Sequence, residues 1–366
     1  MKIAFLAPRY HTNQISLVKF LQKKGLKVSF YVTRIGEIED HSLLKPLVID
    51  LNKFFKIIKF IIKSSNTIFD YRYGMPSINQ LLKFKLAKYD IFIIRDPINL
   101  MSFSYLIWSK LIGVNVILYI QREIHKKKSY DFKEFLEKIF IKIFNTQCIS
   151  PCLGDLKFKK YNQKITYLPF CLSASNYSKK WFLNNSVNIL TIGKFVDRKN
   201  HSLLIKALSI IKTDKRFNLT VVGECTTKEH AIKISQLKKE VLKSDLNVDI
   251  LTNISSNTLS NIYMSHDLFV LPSVNEPASI SNLEAMAFGL PVITTDTNST
   301  SCYTEDQENG YIVKSNDVES LSEKLKFLIN NRNILKKFGE KSLYLVKEKY
   351  NPDINYKNFF DKLIKQ

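Results

Sequence analysis

Twice along this chain, short apolar and β-branched runs alternate with segments of helical periodicity, and that repetition most constrains the fold. KIAFLA (residues 2 to 7) reads as a buried strand, residues 13 to 23 as a helix with Ile15, Val18 and Leu21 among its apolar positions, and KVSFYVT (27 to 33) as a second strand. IFIIR (91 to 95), NVILYI (115 to 120) and QCIS (147 to 150) continue the series. Runs this uniformly apolar belong in a parallel sheet covered by helices on both faces. KITYLPF (164 to 170) then leads into a polar stretch rich in serine and asparagine, and the pattern starts again. VNILTIG (187 to 193), LTVVG (219 to 223), VDIL (248 to 251), DLFVLPS (267 to 273) and PVITT (291 to 295) read as strands, with a helix predicted over 200 to 212.

The predicted architecture is α/β, with two doubly wound, Rossmann-like domains. The first spans 1–172 and the second 187–348, joined by a linker region at 173–186, and a terminal helix within 349–366 is expected to return to the first domain. Ligands of such sheets bind at the carboxyl ends of the strands, so the expected site is a central cleft between the domains.

Charge separates the two halves. The chain carries a formal net charge of +22. Residues 1 to 175 hold 29 Lys and Arg against 12 Asp and Glu, while the remainder holds 26 against 21. The basic half would attract nucleic acid, anionic lipid headgroups or phosphorylated carriers, and charge alone does not choose among them. Two basic amphipathic segments lie there. In LNKFFKIIKFIIKSS (51 to 65), Lys53, Lys56, Lys59 and Lys63 take one side of a helix and Phe55, Ile58, Ile61 and Ile62 the other, the pattern of a helix lying on a membrane surface. KKKSYDFKEFLEKIFIKIF (126 to 144) is similar, but its Asp131, Glu134 and Glu137 would resist an anionic surface. Neither a signal peptide nor an uncharged apolar run long enough to span a bilayer is evident, so a cytoplasmic location is expected. The five cysteines are scattered, and the close pair Cys148 and Cys152 lacks a second ligand pair at zinc-like spacing; they read as small apolar residues.

The stretch richest in chemistry is NEPASISNLEAMAFGLPVITTD, residues 275 to 296. Ser279, Ile280 and Ser281 fall where a helix should begin, and the backbone N–H groups of a helix start suit a phosphate. Glu276 precedes that helix and would sit near whatever the phosphate carries. Glu284 lies about a turn inside, where a carboxylate can accept hydrogen bonds from the vicinal hydroxyls of a ribose. Taken alone, the pair reads as one solvated glutamate and one helix-dipole residue.

The pair does not stand alone. The run from Glu276 to Ile293 closely resembles the donor-site motif of the retaining glycosyltransferases of family 4, which have the GT-B fold. GKFVDRK (193 to 199) resembles that family's Gly-Arg-Leu-x-x-x-Lys segment, and VVGE (221 to 224), HDLFVLPS (266 to 273) and NGYIV (309 to 313) follow in the family's order. The resemblance covers residues 187 to 350 and rests, in the first half, on element order. It implies that Gly193, Lys194 and Lys199 form the diphosphate site, with Lys194 replacing the usual arginine and losing its bidentate geometry. Arg198 either shares that role or is a solvated surface cation. Backbone groups at 279 to 281 would hold phosphate oxygens, Glu284 the ribose, and Glu276 the donor sugar. Lys194, Lys199 and Glu276 are the candidate catalytic residues.

On the acceptor side, His11, Arg95, Asp96 and Arg122 lie at predicted strand ends, though APRYHTNQ lacks the family's glycines and Gln121-Arg122 replaces a common histidine. His125 and His201 read as structural. No Asp-x-Asp occurs in the chain, so metal-independent transfer is expected, with no cofactor.

The resemblance thus implies transfer of a hexose or N-acetylhexosamine from a nucleotide sugar, UDP-linked by expectation. The acceptor would be a polyprenyl-diphosphate-linked or otherwise lipid-linked glycan at the inner membrane surface, as in O-antigen, capsule or lipooligosaccharide assembly. An anionic membrane surface is the expected partner of the basic half. Two alternatives compete: a basic nucleic-acid-binding protein, which leaves the paired glutamates unexplained and for which no motif is present, and a GT-B epimerase acting on nucleotide sugars.

Overall fold

The computed structural model describes residues 1–36, 39, 41–54, 74–126, 132–160 and 162–364, the side chains of 362–364 excepted. Most of the amphipathic stretch at 51 to 65, and the first part of the one at 126 to 144, lie outside the described residues. The chain divides into two compact units, Met1–Pro169 and Phe170–Gln366.

The first unit is a parallel sheet in the order β3-β2-β1-β4-β5-β6-β7. Its strands are β1 (Lys2–Ala7), β2 (Lys27–Val32), β3 (Leu47–Val48), β4 (Ile91–Arg95), β5 (Asn115–Tyr119), β6 (Gln147–Ser150) and β7 (Ile165–Tyr167). Four described helices accompany it: α1 (Thr12–Lys23), α2 (Ile78–Ala87), α3 (Leu100–Ile112) and α4 (Phe132–Ile143). Five consecutive residues of β1, Ile3 to Ala7, are wholly buried. That is why the strand reads as an unbroken apolar run: helices cover both of its faces. The rings of Phe84, Tyr105 and Phe140 bring α2, α3 and α4 into one apolar cluster with Phe92 and Ile94 of β4.

The second unit repeats the plan with six parallel strands, ordered β10-β9-β8-β11-β12-β13. They are β8 (Val187–Ile192), β9 (Phe217–Gly223), β10 (Val248–Thr252), β11 (Leu268–Leu271), β12 (Val292–Thr295) and β13 (Gly310–Val313). The helices are α5 (His201–Ser209), α6 (Lys228–Leu242), α7 (Ser256–Ser265), α8 (Ser281–Ala287), α9 (Val318–Asn330), α10 (Arg332–Glu348) and α11 (Pro352–Ile364). The core is aliphatic, with Leu204, Val270, Ile293, Leu321 and Leu325 inaccessible to solvent. Each such side chain contributes about 1.5–3 kcal/mol of burial free energy. The Tyr356 hydroxyl of α11 accepts the Cys171 N–H at 3.0 Å, which anchors the last helix to the first residues of the same unit. Cys148, Cys152 and Cys171 are buried, Cys225 and Cys302 partly so, and all five are free thiols.

Each sheet reverses its strand order once, between β1 and β4 in the first unit and between β8 and β11 in the second. At such a switch point the loops leaving neighbouring strands diverge to opposite faces and open a crevice. Gly193, Lys194, Lys199 and Glu276 follow the strands at the second of these places; at the first, Arg95 ends β4 and His11 and Asp96 follow the strands, while Arg122 follows β5.

Candidate functional site

The loop after β8 is shaped by two glycines. Gly193 donates its N–H to Val222 O at 2.9 Å, continuing the β8–β9 ladder by one residue. A Cβ built there would stand 2.7 Å from Cδ of Lys199, and one on Gly223 only 2.4 Å from the carbonyl oxygen of Gly193. The missing side chains let the Lys199 stem lie flat on the strand end. A tight 3-10 turn over Asp197–Lys199 follows, closed by Asn200 in the left-handed region at φ 51°. That turn presents Arg198 and Lys199 in the same direction.

Both cations meet one carboxylate oxygen. Lys199 Nζ lies 2.7 Å from Glu276 Oε2, and the Arg198 guanidinium bonds the same atom. Glu276 is 4% exposed and Lys199 8%, so this is a buried cluster and not a solvated loop residue beside a surface cation. Burial pushes the Lys199 ammonium below its ordinary pKa, and the Glu276 carboxylate opposes the shift by favouring the charged form. Lys194 stands slightly apart, its ammonium 2.7 Å from Glu224 Oε2 and its side chain more open to solvent.

Glu276 is held by the loop after β12. It forms an isolated parallel bridge with Asn298, and its carbonyl accepts the Ser299 N–H at 2.9 Å. Asn275 before it has φ 51°, and its N–H donates to Thr297 Oγ1 at 3.1 Å. The Ser279 and Ser281 hydroxyls are 2.8 Å apart, and Thr300 Oγ1 donates to Ser279 O at 3.0 Å. Ser281 opens α8, with Ile280 as its N-cap residue. This helix has only seven residues, so its first-turn N–H groups matter more to an anion than any accumulated dipole.

Glu284 projects from that helix beside Tyr263 of α7, whose hydroxyl donates to Glu284 Oε2 at 2.9 Å. The Tyr263 ring stacks on Phe288 with planes 7° apart, fixing the hydroxyl's position. Burial raises the Glu284 carboxyl above the usual glutamate range, and the hydrogen bond from Tyr263 counteracts part of that. Tyr263 escaped the sequence reading because nothing distinguishes it from an ordinary core position of an amphipathic helix. Asn298 and Thr300, which brace the Glu276 loop, carry no sequence signal either.

His201 begins α5 beneath this loop, its Nε2 3.3 Å from Gly193 O. His266 is buried beside Thr220, with Nε2 2.8 Å from the hydroxyl oxygen. Burial, helped by the Lys199 charge at His201 and the Lys179 charge at His266, lowers both imidazoles from 6.5 to about 4. A lowered folded-state value means the unfolded chain takes up protons first, so their contribution is present above pH 6.5 and is lost as pH falls toward 4. Each histidine should remove on the order of 2 kcal/mol of stability between pH 7 and pH 5, and urea denaturation at the two pH values measures the loss.

In the first unit, His11 follows β1, Arg95 ends β4 and Asp96 comes directly after it, so they flank that unit's switch point. His11 is the residue before α1 and donates its N–H to Gln14 Oε1 at 2.9 Å, with its imidazole 3.6 Å from Glu39. Arg95 donates to Gln121 Oε1 at 2.6 Å. Asp96 adopts φ 51° and accepts the Ile98 N–H at 3.2 Å. Arg122 is drawn to α4, with Nε 3.0 Å from Glu137 Oε2 and NH1 3.5 Å from Glu134 Oε1. Among the described residues no group of three or more His, Cys, Asp or Glu is placed to hold a metal ion.

Residues 174–343 match the family model described as glycosyl transferases group 1. Among solved structures, Anabaena HepE in complex with UDP superposes with a TM-score of 0.74 at 11% identity, covering 100% of both chains. A glycosyltransferase from Rickettsia africae gives 0.73 at 16% identity, covering 100% of this chain and 98% of that one. The fold is GT-B. An uncharacterized glycosyltransferase of Haemophilus influenzae is 29% identical over 192 residues, 52% of each chain. The capsular polysaccharide biosynthesis glycosyltransferase CapM of Staphylococcus aureus is 27% identical over 194 residues, 52% of this chain and 50% of that protein. The chain thus spans about half the length of these curated relatives.

Proposed function

We propose that this protein is a retaining glycosyltransferase that moves a hexose or N-acetylhexosamine from a UDP-sugar to a lipid-linked or growing glycan during surface polysaccharide assembly. The observation that carries the reading is the convergence of Arg198 and Lys199 on Glu276, one helical segment from Glu284, at the switch point of a sheet inside the span that matches the glycosyl transferases group 1 model. The proteins named CapM and HepE lend support to the choice of pathway class and nucleotide.

In this mechanism Lys199, Arg198 and Lys194 hold the diphosphate, with Gly193 permitting the close approach, and the N–H groups around Ser279, Ile280 and Ser281 take phosphate oxygens. Glu284 accepts the two ribose hydroxyls. Glu276 turns from its cations to hydroxyls of the donor sugar. The bond from the anomeric carbon to phosphate breaks, the acceptor oxygen bonds that carbon from the same face, and the acceptor proton passes to the departing phosphate. Charge builds on the diphosphate as it leaves, and fixed cations stabilise it most at that point. With lysines and an arginine in that role, no metal is required. His11, Arg95 and Asp96 are the acceptor-side candidates. An anionic membrane surface, where a lipid-linked acceptor resides, is the partner of the basic half.

Purified protein screened against UDP-, GDP- and dTDP-sugars should show a rise in thermal midpoint with a UDP-sugar and slow release of sugar whose first-formed anomer matches the donor, unaffected by EDTA. Absence of any nucleotide-sugar effect, with steeply salt-dependent binding to polynucleotide instead, would overturn the reading. Glu276→Gln should have opposite effects on two measurements. Removing the competing carboxylate tightens binding of UDP alone roughly fivefold, the scale of one ion pair, while sugar transfer falls. Titration calorimetry with UDP checks the first effect and product formation the second.

A further inference from the structure

We infer that the outer face of the layer formed by α2, α3 and α4 inserts into the interface of an anionic bilayer. The inference rests on the membrane partner proposed above but assigns it to a surface distinct from the stretch at 51 to 65. The three helices lie side by side on one face of the sheet. Phe84 of α2 meets Tyr105 of α3 with ring centroids 4.8 Å apart, and Phe103 of α3 meets Phe140 of α4 at 4.9 Å. Their inner sides are thereby accounted for.

Their outer sides are not those of ordinary surface helices. On α2 the positions Ile78, Leu82 and Leu86 recur every four residues and are 72%, 45% and 80% exposed. On α3, Ile107 and Leu111 repeat the spacing, and on α4 Phe132, Phe135 and Ile143, at helical intervals of three and eight, are 54%, 57% and 65% exposed. The charges between them are all positive: Lys83 and Lys85, Lys110, and Lys133, Lys138 and Lys142 are exposed. The only acids on the three helices are Glu134 and Glu137, and both are buried, 7% and 0% exposed. Glu137 pairs with Arg122, and Glu134 with Arg122 and Lys126. Of the three acids expected to resist an anionic surface, Glu134 and Glu137 are thus buried against cationic partners, and Asp131 lies outside the described residues.

A protein partner fits this face poorly, because lysine is depleted from protein interfaces. A lipid surface fits both features, with apolar side chains entering the acyl boundary and lysines meeting the headgroups. Twelve residues of α4 reach only about 18 Å at helical rise, so the helix lies in the interface plane. Among the described residues no helix is long and apolar enough to cross a membrane.

The test is flotation with phosphatidylcholine vesicles that contain or lack phosphatidylglycerol, in the absence of any nucleotide sugar, so that it succeeds or fails independently of glycosyl transfer. The wild-type chain should float with the anionic vesicles only. The exposed pairs Phe132→Ser with Phe135→Ser, and Leu82→Ser with Leu86→Ser, should each lower partitioning about tenfold or more without changing the thermal midpoint. Lys133→Glu with Lys138→Glu should lower it too. The inference is overturned if both serine pairs float like wild type, if only charge reversal at Lys56 and Lys59 abolishes flotation, or if the wild type is a dimer that the serine pairs convert to monomer without any change in flotation.

Discussion

Lys199→Ala is expected to reduce sugar transfer by about 10²–10³-fold, the effect of removing one fixed group that stabilises developing charge. The ammonium sits 2.7 Å from Glu276 at the bottom of the loop after β8, where it is shielded from water and held by a stem pressed against Gly193. Arg198 reaches the same carboxylate from a more exposed position, and Lys194 is engaged by Glu224. Neither can move its charge to the vacated point. Lys199→Met separates the chemical role from the packing role, since it keeps most of the apolar stem. Its thermal midpoint should stay near that of the wild type while turnover falls as far as in the alanine variant. Near-normal turnover in Lys199→Met would sink the proposed mechanism.

Glu284→Ala should weaken UDP binding by about 10- to 100-fold, corresponding to loss of hydrogen bonds to a charged acceptor worth about 1.5–3 kcal/mol. An unaltered dissociation constant would remove the ribose assignment. With the ribose on Glu284, donor binding should have an acidic limb. Its carboxyl is raised above the ordinary glutamate range by burial, and accepting two hydroxyl hydrogens requires the ionised form, so affinity is present above that raised value and lost as pH falls through it. Tyr263→Phe deletes the hydrogen bond that favours ionisation and should move the limb toward higher pH. A merely structural tyrosine would alter stability without moving the limb.

Much of this arrangement was legible in the sequence, for identifiable reasons. IFIIR and QCIS coincide residue for residue with β4 and β6, because a strand buried on both faces leaves no ambiguity of period. β3 was not legible: its two residues, Leu47 and Val48, are exposed at a sheet edge and too few to show a pattern. β13 was visible as the motif NGYIV but not as a strand. The glycine-ended loop after β8 and the placing of Glu276 before α8 followed from spacing and resemblance. The pairing of Arg198 with Glu276 did not, since it depends on a 3-10 turn ended by a left-handed asparagine. Nor did the contact of Tyr263 with Glu284, which joins two helices across 21 positions of chain. The burial of Glu134 and Glu137 was not legible, because helical periodicity alone does not say which charges have partners across the layer.

The single carboxylate shared by Arg198 and Lys199 bears on how a donor would enter. With no donor present, the two cations already have a counter-charge, so arrival of a diphosphate is an exchange of one anion for another and not the filling of a bare positive socket. Glu276 stays in the site and offsets part of their positive charge, so UDP-sugar affinity should respond to ionic strength less steeply than two unpaired cations would make it.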